Sequence, residues 1–141
     1  MTRGKATTKP VTKAQVRLFM GKSEEYLAVA EFSLENGHTN AATSNATHAG
    51  INASDAILGA RNGERPNGQD HMQAIPLLRA VPQVGADAAN ALTRLLSKKT
   101  QAEYDPDPVR STDATSAVEQ ARRLVALARR VASDLLRPEE A

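Results

Sequence analysis

The residues best suited to chemistry fall into three groups. His48, Asn52 and Asp55 recur at steps of four and three, which puts an imidazole, an amide and a carboxylate on one face of a helix. Such a stripe lines a ligand cleft or a subunit interface, or it is satisfied by neighbouring helices and water. It is too thin for a metal centre, and no HExxH pattern is present. Lys98 and Lys99 precede Glu103 and Tyr104. A basic pair ahead of a tyrosine suits a phosphate contact and a stacked base, which makes Lys98, Lys99 and Tyr104 candidates for RNA binding. Lysines at a helix C-terminus are equally favoured by the helix dipole, with Tyr104 then covering the bundle end. Arg122, Arg123, Arg129 and Arg130 repeat after seven residues and form a basic stripe, with Glu119 and Asp134 as expected partners.

Composition removes other chemistries. The chain has no cysteine, which excludes disulfides, thiolate nucleophiles and thiolate metal ligands. There is no phosphate-binding glycine loop and no pair of catalytic carboxylates, so neither a cofactor nor a metal is expected. With 18 basic and 16 acidic residues in 141, the net charge of +2 makes no global argument for nucleic acid or for a membrane. No stretch approaches the ~18 apolar residues of a membrane span. The basic start, MTRGKATTKP, has no apolar segment after it and does not read as a secretory signal, so a cytoplasmic location is expected.

The elements that must position these residues read as helices. Thr12 with Gln15 makes a capping box, and Val16, Phe19, Met20, Leu27, Ala30 and Leu34 then mark one helical face up to Asn36-Gly37. Asn40 is the expected cap of a second helix, in which Ala42, Ala46, Ala49, Ala53, Ala56 and Ala60 form a narrow seam ended by Asn62-Gly63. Residues 65–68 are a loop. Asp70 caps a short third helix that Pro76 should kink or break. A fourth helix starts at Asp87 and runs to about Gln101 or Tyr104. Asp105-Pro106-Asp107-Pro108 is a connector, and Ser111 or Thr112 caps a last helix whose inner face runs from Ala114 to Leu135. No convincing strand is present. The expected architecture is all-α: an up-and-down four-helix bundle with an additional short helix. The bundle spans residues 12–137, between a disordered, dispensable basic tail at 1–11 and a short C-terminal tail at 138–141. The alanine seam and the polar stripe beside it offer more packing surface than one bundle buries, so a homodimer is expected.

This layout resembles the HEPN superfamily, specifically its compact bacterial branch. The resemblance rests on four features in order. A helix ends in Glu35-Asn36-Gly37-His38 and turns into the small-residue helix from Asn40 to Ala60. Gly68-Gln69-Asp70-His71 leads into a short helix with Leu77 and Leu78. The segment Lys98 to Tyr104 runs into a loop, and a long alanine-rich helix closes the chain. Together these cover about residues 13–137. The resemblance implies a helical bundle, often dimeric, that binds or cleaves RNA, partners a nucleotidyltransferase or serves as a non-catalytic adaptor. Its ribonuclease members carry an arginine, four to six residues and then a histidine. Arg65 and His71 have that spacing, and the resemblance makes them the catalytic candidates. A histidine near neutrality takes the 2′-hydroxyl proton and an arginine stabilises the phosphorane without a metal. Pro66 and Gly68 lie between the two, in a loop that does not preorganise the arginine. The expectation is therefore a binding or regulatory module that touches RNA or a protein partner and is not an enzyme. The alternative is a metal-independent endoribonuclease using Arg65 and His71.

Overall fold

The computed structural model describes residues 7–68 and 70–136. Helix α1 spans Lys13–Glu35. It opens on the Thr12 box, in which the Gln15 amide N–H donates to Thr12 Oγ1 at 3.1 Å and the Thr12 N–H donates to Gln15 Oε1 at 3.0 Å. A three-residue turn ends with His38, where α2 (Thr39–Asn62) starts. Asn40 therefore does not cap α2. It lies inside the first turn, and its Oδ1 accepts from the Val109 N–H at 2.9 Å, tying α2 to the connector before the last helix. Gly63 closes α2 in the left-handed conformation at φ 71°, as the Asn62-Gly63 pair predicts.

After α2 the chain shortens its elements: a 3-10 turn at His71–Gln73, α3 at Ala74–Arg79, α4 at Gly85–Ser97 and α5 at Lys99–Glu103. Pro76 does not break α3, because it is the third residue, where the backbone N–H has no intrahelical acceptor to lose. The predicted fourth helix starts two residues before Asp87 and is interrupted at Lys98, so its last turn is the separate α5. Helix α6 (Ser111–Leu136) begins at Ser111 itself, which is thus a helical residue rather than a cap.

The bundle is built around α2, which packs on α1 and α6 and also meets α3, α4 and α5. Its seam explains why. Ala42, Ala46, Ala49, Ala53 and Ala56 are all fully buried, and their small side chains let neighbouring helices approach closely. At Gly50 a Cβ would collide with Cδ1 of Leu95 of α4, so a methyl group there would make that buried leucine move. The seam is consequently an interior surface, and the expectation that it contributes to a subunit interface is withdrawn. Thr43, Thr47 and Ser54 are buried beside it, and each hydroxyl donates to the carbonyl four residues earlier at 2.9–3.0 Å. Among the described residues no helix is long and apolar enough to cross a membrane.

The sequence hides two strands. β1 (Thr8–Pro10) pairs antiparallel with β2 (Glu64–Pro66), with Thr8 opposite Pro66, Lys9 opposite Arg65 and Pro10 opposite Glu64. Residues 8–11 are therefore structured and not a disordered tail. Val11 is buried, its N–H donates to the Gly63 carbonyl at 2.9 Å, and a Cβ on Gly59 would sit only 2.5 Å from its Cγ1. The remaining tail residues, 1–6, and the proposed C-terminal tail at 138–141 lie outside the described residues.

Candidate functional site

Arg65 and His71 reach one place from different elements. Arg65 is the middle residue of β2, and His71 opens the 3-10 turn, where the Asp70 side chain caps by accepting from the Met72 N–H at 3.0 Å. Both line a small cleft of about 20 Å³, room for about one water molecule, together with Ile51, Ser54, Asp55 and Asp70. A second, roomier depression of about 200 Å³ adjoins it, lined by Met72, Leu96, Lys99 and Thr100. Asp70 and His71 border both, so they form the wall between them.

The electrostatics differ across that wall. Asp55 is largely buried, and desolvation pushes its carboxyl up to about 6 against the opposing pull of Arg65 and Lys9. Arg65 Nη1 stands 3.4 Å from Asp55 Oδ2, and its guanidinium carbon lies 4.9 Å from the centre of the Phe19 ring. The arginine is thus engaged by a carboxylate and an aromatic face together. The His71 imidazole is held below its ordinary pKa by burial, then by the charges of Lys99, His48 and Arg65, with Asp70 opposing. It is therefore neutral at pH 7 and available to accept a proton.

The other predicted residues divide. Asp55 joins the Arg65 cleft. His48 stacks against Tyr26 with ring centroids 5.3 Å apart, and its Nε2 lies 3.6 Å from Glu103 Oε2, which also accepts from Ser44 Oγ at 3.1 Å. The Asn52 amide donates to the His48 carbonyl at 2.9 Å, so the three residues of the stripe have three separate sets of partners. Lys99 lines the second depression, whereas Lys98 pairs with Asp113 of α6 at 3.6 Å. Tyr104 is 74% exposed, lines neither depression and does not cover the bundle end. In the arginine stripe, Arg122 and Arg129 pair across the bundle with Glu31 and Glu24 of α1. Among the described residues no cluster of three or more His, Asp or Glu is arranged to hold a metal ion.

Sequence reasoning missed Lys9 and Phe19 as neighbours of the cleft. Lys9 is the cross-strand partner of Arg65. A three-residue strand containing a proline carries no alternation from which to predict it.

The order of helices, the small-residue α2 and the cleft after it define a HEPN-type bundle. The HEPN domain family model matches residues 16–131, and the chain belongs to that family. HEPN domains often dimerise. Among curated proteins there is no match to the chain.

Proposed function

We propose that this chain is a homodimeric RNA-binding module with a regulatory role and that it does not cleave RNA. The observation that carries the reading is the wall shared by the two depressions. Arg65 edges one side, Lys99 the other, and an unprotonated His71 stands between them. Cations flanking a neutral donor–acceptor ring suit a sugar–phosphate backbone laid across the wall. Asp55 already faces Arg65 and offsets part of its charge; a phosphate contact tolerates that, whereas the larger charge that develops on a phosphorane is met less well. One observation favours the nuclease reading: the lowered pKa of His71 leaves it able to act as a base.

Fluorescence anisotropy with a labelled single-stranded RNA tests the binding. The expected result is binding that weakens with salt, with Lys99→Ala lowering the salt slope by about 1 and leaving the fold intact. RNA that fails to bind at low salt, or binding indifferent to Lys99→Ala, defeats the proposal.

A further inference from the structure

Helix α1 has two faces, and only one of them is used within the chain. Val16, Ser23 and Ala30 point into the bundle and are buried. On the opposite side Ala14, Leu18, Gly21, Glu25, Ala28 and Phe32 follow one another at steps of four, three, four, three and four, and all six are exposed. These are heptad positions, apolar at Ala14, Leu18, Ala28 and Phe32 and interrupted at the centre by Gly21 and Glu25. Leu18 and Phe32 are each 65% exposed, and Val29 beside them is 43% exposed. Gly21 adds a separate observation. A Cβ there would meet nothing within 4 Å, and a glycine inside a helix costs about 1 kcal/mol relative to alanine. Nothing inside the bundle accounts for it.

We propose that this face is the homodimer contact, with α1 of one copy packed antiparallel on α1 of a second. The seam is complementary to itself only in that direction. About a two-fold axis beside position 23, Ala14 faces Phe32, Leu18 faces Ala28 and Gly21 faces Glu25, so every layer sets a large side chain against a small one. Gly21 then has a function, since it leaves room for the Glu25 chain of the other copy. Each Glu25 carboxylate also comes beside Lys22 of the other copy, which follows Gly21 and supplies the opposite charge. A parallel pairing would set Phe32 on Phe32 and Glu25 on Glu25 and leave a gap at Gly21. An apolar face for an unrelated chain has no need to alternate in size symmetrically about its own midpoint. This inference rests on the dimeric reading above and assigns it a surface, after the α2 seam proved to be interior.

The test combines mass with cross-linking. Sedimentation equilibrium over a concentration series should show wild-type protein approaching twice the 15.0 kDa chain mass. Leu18→Lys and Phe32→Glu, each at an exposed position, should remain monomeric and melt as dilute wild type does. Because the chain has no cysteine, Ala14→Cys with Phe32→Cys in one molecule is a clean probe. The two sites are ~27 Å apart along one helix, too far for an internal disulfide. Oxidised glutathione should link the double variant into dimers, and Ala14→Cys alone should not be linked. A wild type that stays monomeric throughout overturns both this inference and the dimeric reading. A wild-type dimer that persists in Leu18→Lys and Phe32→Glu, with no cross-link in the double variant, overturns this surface alone.

Discussion

The interior around α2 and the end of the molecule around His71 are built on opposite plans. The interior uses long helices, with small residues repeating over about five turns of α2, and its stability is spread over many close contacts. The His71 end is assembled from a three-residue ribbon, a 3-10 turn and helices of five and six residues, none of which is stable alone. Each short piece is held by one or two anchors, such as Val11 under β1 and the Asp70 cap. The lesson is a division of labour. The regular part supplies a fixed platform, and the irregular part carries charged groups that the platform's own periodicity has no room for.

The two regions meet at Val11, so the largest effect is expected there. Deleting residues 1–11 removes β1 and a buried valine, and should cost about 3 kcal/mol or more from lost burial and lost backbone hydrogen bonds. It should also weaken RNA binding, because Arg65 loses the strand that aligns it. An unchanged melting curve would restore the tail to dispensability and separate the regions. Next in size is Ala53→Leu, which overpacks a fully buried position and should destabilise by about 1–3 kcal/mol while leaving RNA affinity unaltered. If affinity falls with stability, platform and site are not separable.

A smaller effect is expected from Asp55, and it depends on pH. Its carboxyl titrates near 6 in the folded chain against an ordinary 3.8, so the native state binds the proton more tightly than the unfolded state. Between those values stability must fall as pH rises, by at most about 3 kcal/mol. His71 works the other way: its pKa is lowered on folding, and its contribution grows as pH rises toward the unfolded value. Comparison with Asp55→Asn isolates the carboxyl. The stability of wild type minus that of the variant, from urea melts, should decline from about pH 4 to pH 6. A constant difference contradicts a raised Asp55.

What was legible in the sequence follows the same division. The Thr12 box, the α2 seam, the Gly63 stop and the inner face of α6 are periodic or local, and each is set by residues near one another in the chain. The His71 end depends on pairs distant in sequence: Lys9 with Arg65, Phe19 with Arg65 and His48 with Glu103. No spacing rule within one segment encodes such pairs. Arg65, His71, Asp55 and Lys99 could be nominated by residue type. That Asp55 holds Arg65, and that Lys99 belongs with His71 while Lys98 does not, depends on the folded chain.

Whether this site holds RNA without cutting it can be read from the length of the bound RNA. Purified protein is incubated with an end-labelled single-stranded RNA in metal-free buffer, at concentrations where anisotropy shows binding, and the RNA is resolved by length over time. Full-length RNA is expected throughout. Shortened RNA, abolished by His71→Ala in a variant that melts with wild type, would contradict the non-cleaving reading and make His71 a catalytic base.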